Sequence, residues 1–303
     1  MYLKLFLSKN LKQTNFQSLP VIEFTLQSSD DSFSEITLNH TFKDTDHKKS
    51  LGKNLFIGGA DGYFGALLLS TRSALRTGTR YLVVCTTEKH SLELPIKQNE
   101  LISNKFNKST IASLNDYNVI TIGPGLSDDP WSKVIADDFN NQISLGLLNS
   151  KVIADAGYLS YLSEKNLNYK KWILTPHEGE AANLLNKSPN WIRENREESC
   201  YKIQNTYGGV VVLKGANTLV NTGEAIYICK HGGHYMGVAG MGDALTGIIA
   251  SMISIFKNDY FNAILFSVGL HSLAADMLNK ERGSVGILPS DVIEKMSELL
   301  NNS

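Results

Sequence analysis

From residue 54 onward, short apolar runs that end in a glycine or a lone polar residue alternate with helical stretches, and that rhythm leaves few folds open. The run at 55–57 leads into Gly58-Gly59-Ala60-Asp61-Gly62, then a helical segment over about 65–77 that Gly78 stops, then a second run at 81–85. Strand, glycine loop, helix and strand form a βαβ unit, and parallel neighbours need such crossovers, so a parallel sheet is expected. The pattern continues with a strand at 119–122, the loop Gly123-Pro124-Gly125-Leu126 and a helix over 131–139. Further strands at 152–154, 172–174 and 210–213 end at Asp155, at Thr175-Pro176-His177 and at Lys214-Gly215. Runs at 218–220 and 225–229 around Asn221-Thr222-Gly223 read as a β hairpin. Helical stretches near 243–256, 261–279 and 290–301 close the chain. Residues 1–50 read as polar and irregular, with 21–26 the one strand-like run. No repeat or linker divides the remaining residues, so we expect an N-terminal extension over 1–50 and one α/β domain over 51–303.

Composition narrows the partners. The 303 residues carry 29 basic and 30 acidic side chains for a net charge of −1, which favours neither nucleic acid nor an anionic membrane as partner. Cys85, Cys200 and Cys229 are widely spaced and lack a C-x-x-C, as expected of inert thiols in a reducing compartment. No apolar run approaches the length of a membrane span, and the start MYLKLFLSKN is broken by Lys4 and Lys9, unlike a signal peptide. The expectation is a soluble, cytoplasmic protein.

The unusual residues all fall just after strands. In a parallel sheet those positions share the carboxyl-end edge, where ligands bind, so Gly58-Gly59, Gly123-Pro124-Gly125, Asp155, His177 and Lys214 point to one extended site. The segment GVAGMGDALTG places glycines at the start of an apolar helix. Helix starts leave N–H groups unpaired and carry partial positive charge, and they hold phosphate. Asp243 at that junction is placed either to cap the helix or to take a proton from a hydroxyl attacking a phosphoryl group. His177 reads first as part of a helix start, with Thr175 as cap, Pro176 at the first position and Glu178 and Glu180 favoured by the dipole. Asp155 either orients water or a metal or caps the next turn, and Tyr63 either stacks on a base or packs. Suitable ligands do not cluster around His177, which argues against zinc. His40, His47, His90 and His271 have no motif support.

Taken in order, GGADGYFGALLLSTRSALRTGT, IGPGL, IADAG, LTPHEGEAANLL, VVLKGANTLV, GMGDALTGIIA and HSLAAD…GILPSDVIE resemble the ribokinase-like superfamily. More closely, they resemble its ADP- or ATP-dependent dehydratases that repair hydrated NAD(P)H. The resemblance implies a three-layer α/β/α fold with a mostly parallel central sheet and a β hairpin on its C-terminal side. It implies phosphorylation of the ring hydroxyl of hydrated NADH or NADPH (S-epimer), then loss of phosphate. Asp243 matches the catalytic carboxylate. Ala66, Gly125 and His177, with Asp243, match positions that touch the hydrated dinucleotide. Lys214, Gly215, Ala216, Asn217, Thr218 and Gly242 match those that touch the nucleotide. ADP or ATP as co-substrate, Mg2+ and a homo-oligomer, with a tetramer suspected, follow from the same resemblance. The single-domain form points to ADP, and the separate epimerase domain of some relatives has no room here. Met241 stands where the family usually has threonine, removing one hydroxyl from the phosphate loop. Two other readings stay open: a vitamin-precursor or sugar kinase of the same superfamily, and a non-catalytic nucleotide-binding protein.

Overall fold

The computed structural model describes residues 2–9, 12–13, 19–27, 33–40, 42–165 and 167–301. In chain order the strands are β1 (Tyr2–Ser8), β2 (Lys12–Gln13), β3 (Pro20–Thr25), β4 (Phe33–Asn39), β5 (Asn54–Ile57), β6 (Leu82–Thr86), β7 (Ile102–Lys105), β8 (Val119–Ile122), β9 (Lys151–Ala154), β10 (Trp172–Leu174), β11 (Val210–Leu213), β12 (Leu219–Asn221) and β13 (Ile226–Cys229). The helices are α1 (Phe64–Arg76), α2 (Glu88–Lys97), α3 (Lys108–Ala112), α4 (Pro130–Ser144), α5 (Gly157–Ser163), α6 (Glu178–Leu185), α7 (Pro189–Glu194), α8 (Arg196–Tyr207), α9 (Met241–Ile255), α10 (Tyr260–Arg282) and α11 (Pro289–Asn301).

One sheet runs β4-β1-β3-β13-β12-β11-β10-β9-β8-β5-β6-β7, with β2 on β3. From β11 to β7 every neighbour is parallel, as the βαβ rhythm demands. β12 and β13 fold back antiparallel as the expected hairpin. Except for the exposed edge strand β7, the parallel strands are buried on both faces, so alternate side chains enter two different cores. Phe56, Val84, Ile153 and Val212 pack with α1, α9, α10 and α11, whereas Leu55, Ile57, Val83 and Val211 pack with α4, α5, α6 and α8. The result is the three-layer α/β/α fold.

The first 50 residues differ from the irregular stretch expected. β1 pairs with β3 and β4, and β3 lies parallel to β13 with Val21 opposite Ile226. These strands bury scattered apolar residues such as Leu5, Phe24 and Leu38 among polar ones, a pattern that continuous apolar runs do not reveal. Parts of that segment, among them 14–18 and 28–32, lie outside the described residues. α10 is a second departure. Its 23 residues have a mean hydropathy of 1.4 in the most apolar stretch, enough by length and composition to cross a membrane. That stretch is 78% buried within the protein, where it packs in the core with α9 and α11.

One helix pair orients the site. Leu69 packs against Gly240 just before α9, and Ile255 at its far end packs against Gly78 just past α1. The two helices therefore run side by side in the same direction, with both amino ends on one sheet edge. Their approach depends on Gly247, because a Cβ there would lie 2.1 Å from the Ser70 carbonyl oxygen.

Candidate active site

A cavity of about 720 Å³ opens at that edge. Asp155 and Ala156 line it after β9, His177 and Glu180 at the start of α6, and residues 214–218 between β11 and β12. Much of the segment 231–243, leading into α9, forms another side, and Val268, His271 and Ser272 of α10 complete it. The strand-end residues singled out in the sequence thus converge, because parallel strands deliver their following loops to one edge.

At the bottom of the arrangement sits a buried ion pair. Asp155 is only 1% exposed and accepts from Lys214 Nζ at 2.7 Å, Thr175 Oγ1 at 2.8 Å and Thr246 Oγ1 at 2.7 Å. Its carboxylate does not cap α5; it holds Lys214 in place. Burial alone would pull the Lys214 ammonium down, but Asp155, then Glu180 and Asp243, raise it well above its ordinary value. The ammonium is a permanent positive charge, with Glu180 Oε2 3.7 Å away. Ala156 beside it has φ 48°, an uncommon conformation for a residue with a side chain and one that concentrates at functional sites.

Asp243 is not the helix cap. Gly240 is the N-cap of α9, with φ 95° and no side-chain cap, and Asp243 lies within the first turn. Its carboxyl is pushed up to about 7, first by burial and then by Asp155, with Glu180 adding to the rise and Lys214 opposing it. A carboxylate titrating near neutrality, beside a fixed cation at a helix start, suits a general base in phosphoryl transfer. Gly242 next to it would place a Cβ 3.2 Å from Lys214 Nζ, so glycine keeps the space around the ammonium open.

The start of α6 is shifted from the expected one. His177, not Thr175, is the N-cap: Nδ1 accepts from Gly179 N at 2.9 Å and Glu180 N at 3.2 Å. Glu180 Oε2 in turn accepts from His177 N at 2.7 Å, closing a capping box. Thr175 is drawn away to Asp155, and Pro176 precedes the helix. With Nδ1 accepting, the neutral ring carries its proton on Nε2.

The 214–218 turn is held from behind. Arg196 donates to the Leu213 carbonyl at 3.2 Å and the Lys214 carbonyl at 3.4 Å, and pairs with Glu178 at 3.3 Å. Asn217 has φ 52°, and Thr218 Oγ1 donates to the Gly215 carbonyl at 3.0 Å. Together with Ala216, these residues line the cavity.

Ala66 and Gly125 do not line this cavity. Ala66 lies in the first turn of α1, its N–H donating to the Tyr63 carbonyl at 3.2 Å. Gly125 is buried with φ 72°, its carbonyl accepting from Ala60 N at 2.7 Å, and a Cβ there would fall 2.4 Å from the Tyr63 carbonyl oxygen. Ala66, at the start of α1, and Gly125, in the loop after β8, lie at the neighbouring strand ends. Tyr63 itself is 56% exposed and precedes α1.

Several contributors were missed in the sequence. Thr246 stands one helical turn beyond Asp243 on the same face, a spacing that could have marked it. The Nδ1 of His90 lies 2.8 Å from the Gly59 carbonyl, and its ring stacks on Phe64 at 4.4 Å, steadying the first glycine loop. His271 is pulled down to about 4 by burial, and its Nε2 has no hydrogen-bond partner among the described residues.

Residues 54–298 match the family described as NAD(P)H-hydrate dehydratase. The chain belongs to this family. The bifunctional NAD(P)H-hydrate repair enzyme Nnr of Vibrio cholerae is 34% identical over 257 residues, covering 84% of this chain and 51% of that protein. The chain spans about half the length of the curated relatives it matches. Among solved structures, the ADP/ATP-dependent NAD(P)H-hydrate dehydratase of Bacillus subtilis, co-crystallised with ATP and Mg2+, is 26% identical with a TM-score of 0.76, covering 86% of this chain and 93% of that one. A ribokinase-like superfamily protein of Enterococcus faecalis, 24% identical with a TM-score of 0.77 over 86% of this chain and 91% of that one, shares the fold. Ribokinase-like architecture and membership of the dehydratase family therefore stand together.

Proposed function

We propose that this chain restores NADH or NADPH from their hydrates, using ADP or ATP to phosphorylate the ring hydroxyl before phosphate is expelled. The observation that carries the reading is Asp243, titrating near 7 within the first turn of α9 and sharing a cavity with the fixed cation of Lys214. Asp243 takes the hydroxyl proton as the oxygen attacks the terminal phosphorus, and the bond to the remaining nucleotide breaks. Lys214, the amide of Gly242 and the start of α9 hold the negative phosphoryl oxygens. The ring nitrogen's lone pair then breaks the carbon–oxygen bond, phosphate leaves, and loss of a proton from the adjacent ring carbon restores the dihydronicotinamide. Residues 214–218 and Gly242 hold the nucleotide, while Ala66, Gly125 and His177 hold the hydrated dinucleotide.

The described residues contain no cluster of three or more His, Cys, Asp or Glu side chains that could cage a metal. Magnesium fits instead as an ion carried on the nucleotide phosphates, which needs only one or two protein carboxylates. Of the three carboxylates that line the cavity, Asp155, Glu180 and Asp243, Glu180 is the one assigned to meet it, and the ion would neutralise phosphoryl charge. A homo-oligomer completes the reading; exposed Leu92, Ile96 and Ile102, on α2 and β7 at one end of the sheet, supply an apolar face for it.

Incubation with hydrated NADPH, magnesium and either ADP or ATP should restore the dihydronicotinamide absorbance and release phosphate. A stable phosphorylated product would favour a kinase, and no reaction with either nucleotide would overturn the reading. The two ligand assignments separate by substitution. Ala66→Leu should weaken NADPH binding and leave ADP affinity within a few fold; Gly242→Val, crowding Lys214, should do the reverse. Loss of both ligands in both folded variants would refute the division.

A further inference from the structure

The stretch 231–240 that walls one side of the cavity contains four glycines (Gly232, Gly233, Gly237 and Gly240), so ordering it costs more backbone entropy than an average loop. Something must hold it in shape before a ligand arrives. Asp276 on α10 does so from one side, accepting from Gly232 N at 2.8 Å, from His231 Nδ1 at 3.0 Å and from the Tyr235 hydroxyl. The opposite nitrogen of His231 faces the N-terminal strand. Leu26 N donates to Nε2 at 3.2 Å, and Thr25 Oγ1 lies 2.7 Å from it.

A backbone N–H can only donate, so Nε2 presents its lone pair and the ring proton sits on Nδ1, directed at Asp276. Both nitrogens of a neutral ring are thereby used. Thr25 Oγ1 accepts from Gln27 N at 3.2 Å, and its single proton is shared between His231 Nε2 at 2.7 Å and the Gln27 carbonyl at 2.8 Å. The β3–β13 pairing continues to the residue before His231, where Lys230 N donates to the Phe24 carbonyl at 2.9 Å. Leu26 packs on α10 at Gly269, where a Cβ would fall 2.8 Å from Leu26 Cγ.

We propose that His231 is a positioning residue for the nucleotide, through which β3 and α10 jointly hold the cavity wall in its binding shape. The end of the N-terminal strand is then part of the nucleotide site, although neither Thr25 nor Leu26 lines it. This rests on the reading that residues 214–218 and Gly242, which share the cavity with this wall, hold the phosphoryl donor. Holding a glycine-rich wall in advance lowers the ordering cost at binding, which appears as affinity for the ligand that the wall encloses.

The test uses the full chain and calorimetric titration with ADP and, separately, with NADPH. Thr25→Val keeps the shape and removes the hydroxyl; it should weaken ADP binding roughly 3- to 10-fold, the range of one net hydrogen bond. NADPH affinity should stay within about twofold, and Thr25→Ser should restore ADP affinity. Without any ligand, amides of 231–240 should exchange hydrogen faster in Thr25→Val than in the wild type. If Thr25→Val does not fold, Asp276→Asn loosens the same wall from the other side and should show the same selective loss. Unchanged ADP affinity and exchange, or equal loss of both ligands with a lowered Tm, overturns the proposal. Failure of the wild type itself to bind ADP overturns the cavity assignment and this inference with it, a result distinct from normal wild-type binding with indifferent variants.

Discussion

Asp243 lies within reach of three charges, and two of them are the wrong sign for it. Asp155 and Glu180 oppose its ionisation, burial opposes it more, and Lys214 alone favours it. An unfolded aspartate titrates near 4. Because the folded chain holds the Asp243 proton up to about 7, this group's contribution to stability falls as pH rises from about 4 to about 7 and stays low above that. Asp243→Asn should therefore melt higher than wild type at about pH 8, by roughly 2 °C or more, with the difference vanishing below about pH 4. The same variant should lose roughly 10²- to 10⁴-fold in turnover. Scanning calorimetry beside an assay checks both, and a variant with wild-type turnover would remove Asp243 from the chemistry. The acid limb of the wild-type rate profile should fall near pH 7. Lys214→Met removes the one charge that lowers the Asp243 value, so any residual activity should show that limb moved to higher pH. At this scale the sequence was readable where a residue directly follows a strand or opens a helix, as for Lys214 and Asp243. It was silent on the meeting of Thr246 with Asp155, 91 positions apart, although the i+3 spacing from Asp243 places Thr246 on the same helix face.

Between elements, the contact of α1 with α9 fixes how the two glycine loops face each other. Gly247→Ala puts a methyl against the Ser70 carbonyl, so the helices must part or bend. A cost of about 1–3 kcal/mol in urea unfolding is expected, with loss of activity as the amino ends separate. Gly65→Ala, in the first turn of α1 with open space around its Cβ, is the contrasting substitution and should stabilise by roughly 0.5–1 kcal/mol. Equal effects from the two would mean that the helix contact is looser than the Gly247 spacing requires. The buried strands of the parallel core were legible because both-face burial writes itself as unbroken apolar runs, as in Val210–Leu213, whereas the exposed edge strand β7, polar from Ser103 on, was not. The start of α6 was misplaced by two residues because Thr175 is a good cap by type and His177 is not; the buried carboxylate of Asp155 draws the threonine away from the helix.

Over the whole molecule, the cavity-bearing edge is assembled from segments far apart in the chain, and the N-terminal strands extend the sheet beside β13. Of these strands β3 was read, as the strand-like run at 21–26, whereas β4, which buries Leu38 among polar residues, gave no continuous apolar signal. Leu26 and His231 are 205 positions apart, so the start of the chain must wait for most of the rest before it has a partner. At roughly 5–20 residues per second of synthesis the wait is about 10–40 s, with strand edges unpaired meanwhile. In refolding from urea, fluorescence of Trp131, Trp172 and Trp191, which pack with the core on the α4 to α8 side of the sheet, should recover before the capacity to bind ADP does. Simultaneous recovery would mean that β3 docks with the core. The order has a bearing on the newborn protein: the wall held by Asp276 gains its second anchor, through His231, only when the first strands find their late partner, so on the proposed role of His231 the nucleotide is held several-fold more loosely until then.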